Sequence, residues 1–91
     1  MFRVVLECAA EGLPSQIAEQ ATMDMAEEFS HRPWHRAVRC SWDGHFIRLE
    51  AENDHDEKGL ALSDEFSDAL KAFVAMYHRL GDVRIISVNK F

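Results

Sequence analysis

Val38-Arg39-Cys40-Ser41-Trp42-Asp43-Gly44-His45-Phe46-Ile47-Arg48-Leu49 sets Asp-Gly between two runs in which apolar and polar residues alternate. This is among the strongest short-range hairpin signals, because a two-residue turn needs positive φ and Asp and Gly tolerate it. A turn centred on Asp43-Gly44 pairs Trp42 with His45, Cys40 with Ile47 and Val38 with Leu49 on one face. It pairs Ser41 with Phe46 and Arg39 with Arg48 on the other. Two arginines directly opposed repel each other unless an anion lies close by, and that pair is the sharpest functional hint in the chain.

Upstream, residues 2–8 alternate, with Phe2, Val4, Leu6 and Cys8 on one side and Arg3, Val5 and Glu7 on the other, the pattern of a half-buried strand. Glu11-Gly12-Leu13-Pro14 breaks it, and Pro14 or Ser15 can open a helix. Ile17, Ala21, Met25 and Phe29 then recur every fourth residue with Ala18 and Ala26 flanking them, giving an amphipathic helix. His31 and Arg32 suit its negative end, and Pro33 stops it.

The hairpin strands span roughly 37–42 and 45–51. Residues 52–59 form an acidic loop, and Ser63 is the expected N-cap of a second helix with Asp64 and Glu65 in its first turn. Leu62, Phe66, Ala69, Leu70, Phe73, Val74, Tyr77 and Leu80 trace its apolar stripe, and Gly81 suits the position after its last turn. Val83 to Val88 reads as a last strand of undecided facing: either Ile86 and Val88 or Val83 and Ile85 join the polar face of the sheet.

The order β-α-β-β-α-β over 91 residues predicts a single α+β domain, 1–91. Right-handed crossovers put both helices on one sheet face. The result is a ferredoxin-like sandwich with antiparallel strand order 4-1-3-2. Cys8 and Cys40 are then two strand spacings apart, about 9–10 Å, too far for a disulfide, so both are expected as free, core-facing thiols. The helix-covered face takes Val4, Leu6, Val38, Cys40, Ile47 and Leu49. The open face takes Arg3, Val5, Glu7, Arg39, Ser41, Phe46, Arg48 and Glu50. There Glu7 and Glu50 can neutralise the two arginines internally, or an anionic ligand or a partner carboxylate can bridge them.

Several function classes are disfavoured. A net charge of −6 argues against a general nucleic-acid binder, which carries a basic stripe. RNA-recognition domains share this element order but stack bases on aromatic residues of the central strands, and here Phe46 is alone while Val5 stands where an aromatic is wanted. No run approaches a membrane span and Val4-Val5-Leu6 is too short for a signal peptide, so the expected location is cytoplasmic, with reduced cysteines.

The loop from Asp54 mimics a calcium loop, with Asp56, Gly59 and Glu65 in register. However, Lys58 occupies a ligand position and a strand rather than a helix enters it. His31, His35, His45 and the cysteines lack any zinc-binding spacing. His31-Arg32-Pro33-Trp34-His35-Arg36 is a basic-aromatic stretch, read as an ordinary loop in which Trp34 caps the core and the arginines meet an acidic helix. No nucleophile–base motif or phosphate loop occurs. No catalytic residue, metal ligand or cofactor is therefore assigned.

The expected role is a non-catalytic protein-interaction or self-association module, with a protein partner or a homodimer formed through Arg3, Val5, Glu7, Arg39, Phe46, Arg48 and Glu50. Two alternatives stand beside it. One is an acidic inhibitor or immunity-type protein that meets a cationic partner through the acidic run from Glu50 to Asp68. The other is a small-anion sensor or enzyme that uses Arg39 and Arg48 as a clamp.

Overall fold

A computed structural model describes residues 1–74 and 79–91. The elements are β1 (Phe2–Ala9), α1 (Ser15–Ser30), β2 (Arg36–Trp42), β3 (Phe46–Asn53), α2 (Leu60–Phe73) and β4 (Val83–Lys90). They form one antiparallel sheet in the order β2-β3-β1-β4, the ferredoxin-like arrangement. None of the described helices is long and apolar enough to cross a membrane.

The two central strands carry the buried side of the sheet. On β1, Val4, Leu6 and Cys8 are buried, and on β3 so are Ile47, Leu49 and Ala51. Alternation forces their neighbours to the opposite side. Val38 and Cys40 face the same way, but they lie on the edge strand β2 and are only half-buried. The four-residue stripe of α1 closes over this surface with Ala18, Ala21, Met25 and Phe29 buried, and α2 adds Leu62, Phe66, Ala69 and Leu70. Tyr77, part of the expected α2 stripe, lies outside the described residues.

Four local expectations are corrected. First, the hairpin register is shifted by two: Trp42 pairs with Ile47, Ser41 with Arg48, Cys40 with Leu49 and Arg39 with Glu50. Asp43 does not sit in the turn centre with positive φ. It stands just before it, and its Oδ1 accepts the N–H groups of His45 and Phe46, both at 2.8 Å. Asp43 N–H in turn donates to Phe46 O. This side-chain turn makes Gly44, at φ 99°, and His45 the two central residues. Those two N–H donors hold the Asp43 carboxyl below its usual range. A slip of one residue would exchange the faces of the strand; a slip of two keeps them. The facing is therefore as expected, while the opposed arginine pair does not exist.

Second, α2 begins at Leu60 rather than after Ser63. Asp56 supplies the missing cap from upstream. Its carboxylate accepts the N–H of Ala61 at 3.1 Å and of Leu62 at 2.9 Å, while its own N–H donates to Asn53 Oδ1. These are amides that a helix start leaves without partners. Third, α2 as described closes at Phe73 with Val74 as its C-cap, and Gly81 lies against β1 instead. Its N–H donates to Ala9 O at 2.9 Å, its carbonyl meets the Cys8 thiol at 3.2 Å, and a Cβ there would come within 3.1 Å of Ala9 Cβ.

Fourth, β4 follows neither of its two expected facings. Its register shifts between Val5 and Leu6, so Ser87 opposes Val5 and Ile85 opposes Leu6, leaving Ile86 as an extra residue. Such a bulge lets residues from both expected sets share one side. Val83, Ile85 and Val88 all turn toward the helices, and the γ-methyls of Ile85 and Val88 crowd Gly59.

Candidate functional site

Both helices pack on one side of the sheet, so the other side has no described element over it. Its side chains fall into rows that run across the strands. In the first, Arg36, Glu52, Arg3 and Asn89 lie side by side; in the second, Arg39, Glu50, Val5 and Ser87; in the third, Ser41, Arg48, Glu7 and Arg84. Phe46 beside Ala9 ends the array. All seven residues expected to form the interaction face (Arg3, Val5, Glu7, Arg39, Phe46, Arg48 and Glu50) are on this side. Arg36 and Arg84 join them unforeseen.

The rows alternate in charge, and part of that charge is internally matched. Arg3 places Nε and Nη2 on the same oxygen of Glu52, at 3.2 and 2.8 Å. Arg48 is bound through Nε and Nη2 to Glu7 Oε1. That contact holds the Arg48 guanidinium above its ordinary range. Arg39 and Arg48 are not directly opposed, and Arg48 is already bound to Glu7. Arg36 and Arg39 are exposed, and among the described residues neither has an ion-pair partner within 4 Å.

Arg36 reaches this face through a fault in β2. It opposes Glu52 while Arg39 opposes Glu50, so Ala37 and Val38 together span the single residue Ala51. Ala37 takes φ 51°, a left-handed conformation that costs a residue with a Cβ roughly 1–2 kcal/mol. Without the extra residue, strict alternation would send Arg36 to the helix side with Val38 and Cys40. A shallow depression of about 230 Å³ lies beside the bulge, bordered by Arg3, Ala37, Arg39, Glu50 and Glu52. Only the lone alanine at a strand start could have signalled the bulge, and an alanine is not a bulge signature.

Half of the acidic run Glu50–Asp68 has a structural place, while Asp54, Glu57, Asp64 and Asp68 are exposed. Glu50 and Glu52 belong to the sheet rows, and Asp56 caps α2. Glu65 gathers the basic-aromatic segment. It pairs with Arg32 Nη1 at 2.9 Å, meets His35 Nε2 at 2.8 Å and accepts the Trp34 indole N–H at 3.2 Å. Arg32 also covers the Phe29 ring at 4.5 Å. The arginine does meet the acidic helix as expected, but Trp34 is 47 % exposed and does not cap the core. His35 takes that inner position instead, with its side chain buried.

The remaining candidates are dispersed. His45 Nδ1 lies 3.1 Å from Glu11, and the cross-strand partner of Trp42 is Ile47. Cys8 and Cys40 are free thiols on β1 and β2 with β3 between them. Burial pushes both up, Cys40 to about 12, with Asp82 adding to the effect at Cys8. Thiols held protonated in this way are poor nucleophiles. Among the described residues, no three His, Cys, Asp or Glu side chains come together as a metal would require.

Comparison with protein-family models, with curated proteins and with solved structures gave no match.

Proposed function

We propose that this chain is a non-catalytic protein-binding module that takes its partner on the open face of the sheet. The observation that carries this reading is the array itself. Five arginines and three glutamates stand in cross-strand rows around Val5, on a face without a covering element among the described residues. Arginine is favoured at interfaces because its planar fork binds carboxylates in defined directions and its stem covers apolar surface.

The charge distribution argues for a partner rather than for face-to-face pairing of two copies. The open face holds five basic and three acidic residues. The rest of the chain then holds the other thirteen acidic and five basic residues of the sixteen and ten in the sequence. Two open faces brought together would oppose like excess charge, which disfavours that pairing. Of the Glu50–Asp68 run, Asp54, Glu57, Asp64 and Asp68 remain exposed, a smaller set of charges for a cationic partner to meet than the open-face array.

The test is affinity capture with three forms of the purified protein: wild type, Val5→Asp on the open face, and Glu19→Lys on the helix side. A protein retained by wild type and Glu19→Lys but lost with Val5→Asp supports the reading. Equal retention by all three forms, or loss only with Glu19→Lys, refutes it. Sedimentation velocity on the wild type supplies the second arm. A dimer that Val5→Asp dissociates would replace the foreign partner by a second copy.

A further inference from the structure

We propose that Arg36 and Arg39, set on either side of the Ala37 bulge, form a clamp for the carboxylates of an acidic segment of a partner protein. The proposal rests on the open face being the binding surface and names the chemistry that one corner of it recognises.

Three features converge on this corner. The bulge is what brings Arg36 onto the open face, since strict alternation would turn it toward the helices. Bulges commonly re-aim a side chain near functional sites. The bulge is held by a non-glycine residue at φ 51°, a conformation that persists where the surrounding structure imposes it. Finally, the arginines of this face are not equivalent. Arg3 is on Glu52 and Arg48 is on Glu7, whereas Arg36 and Arg39 keep their donors free of any described carboxylate within 4 Å. A guanidinium with unused paired donors is matched in shape and charge by a carboxylate.

The occupant follows from charge. Arg3 and Arg39 line the depression with Glu50 and Glu52, and Arg36 opposes Glu52 in the same row as Arg3, so these five residues carry a local excess of one positive charge. A nucleic-acid backbone, with a charge at every phosphate, would meet Glu7, Glu50 and Glu52 as well as the arginines. It would also find no aromatic on the open side of β1, where Arg3, Val5 and Glu7 stand. An extended protein segment with spaced glutamates can place carboxylates at Arg36 and Arg39 and leave neutral residues over Glu50 and Glu52. Partner protein is therefore favoured over nucleic acid.

The test is a 1H–15N NMR titration of the full chain at low salt with three probes: acetylated, amidated hexaglutamate, inorganic phosphate and a single-stranded decathymidylate. Hexaglutamate is expected to shift the Nε–H signals of Arg36 and Arg39 and the nearby amides of β2 and β3. An exposed charge pair contributes up to about five-fold in affinity. Arg36→Gln and Arg39→Gln should therefore each weaken binding by roughly three- to five-fold, and 0.5 M salt should abolish it. Arg48→Gln, at a guanidinium already held by Glu7, should change it by less than about two-fold.

Ala37→Gly, which keeps the left-handed conformation, should bind as wild type does. Unchanged dispersion of the amide spectrum confirms that each variant is folded. The clamp is overturned if neither glutamine variant weakens binding, if shifts cluster away from β2 and β3, or if hexaglutamate produces none. It is equally overturned if decathymidylate or phosphate binds as strongly. A capture experiment that still depends on Val5 but not on Arg36 or Arg39 would remove the clamp alone and leave the open face as the docking surface.

Discussion

Asp56 lies in what reads as a solvated acidic loop, yet it is only 5 % exposed and its two carboxylate oxygens accept the Ala61 and Leu62 amides. Replacing it with alanine removes the cap of α2, which costs typically about 1 kcal/mol and up to about 2. It also leaves two amides without acceptors, one of them in a buried contact, at roughly 1–3 kcal/mol for a buried group. Water can enter at the helix start and recover part of the second loss. The expected destabilisation is therefore about 2–3 kcal/mol, or a fall in Tm on the order of 10–15 °C for a domain of this size.

Urea unfolding followed by far-UV circular dichroism measures it, with an unchanged m-value marking a true stability change. Asp56→Asn keeps one acceptor oxygen and should lose about half as much. Asp54→Ala and Glu57→Ala, on either side and exposed, should stay within about 0.5 kcal/mol. The reasoning fails if Asp56→Ala also falls within that margin, or if Asp54→Ala or Glu57→Ala costs as much.

Two further outcomes can be measured on the same material. Gly59→Ala meets a φ of 76° and a Cβ within 3.1–3.3 Å of methyls on Val4, Val88 and Ile85. The left-handed conformation and the crowding together predict a loss of about 2–4 kcal/mol, and urea midpoints showing less than about 1 kcal/mol would refute it. Cys40 has its pKa raised from 9.0 to about 12. Its thiol then ionises in the unfolded chain before it does in the folded one, so its contribution is complete below about pH 9 and is lost as pH rises toward 12. Denaturation across that range should show a shallower alkaline decline in Cys40→Ala than in wild type; identical slopes would count against the shift.

The parts of the fold legible in the sequence are those in which periodicity speaks for many residues at once. The alternation of Phe2 to Cys8 and the four-residue stripe from Ile17 to Phe29 each repeat one signal along a whole element. Their order left a single simple strand arrangement. The facing of the hairpin was legible for the same reason, because slipping the pairing by two leaves every side chain on its own side. The pairing itself was not. Asp43 can enter a turn as a central residue or bind the turn amides from just outside it, and Asp-Gly reads the same in both cases. The start of α2 was hidden similarly: Ser63 is a sound cap by residue type, while Asp56 reaches the helix from outside the usual capping positions.

The sequence by itself determined the α+β class, the strand order and the seven residues expected on the bare side of β1, β2 and β3, because burial depends on apolar spacing and spacing is written along the chain. Only the tertiary structure decided how the charges on that side are matched. Cross-strand neighbours depend on register, and register here is set by one side-chain turn at Asp43 and by bulges at Ala37 and Ile86. Each of these is a single-residue event that leaves no periodic trace. Through them the expected Arg39–Arg48 pair gives way to Arg48 on Glu7, Arg39 beside Glu50, and Arg36 turned out of the helix side to stand next to it.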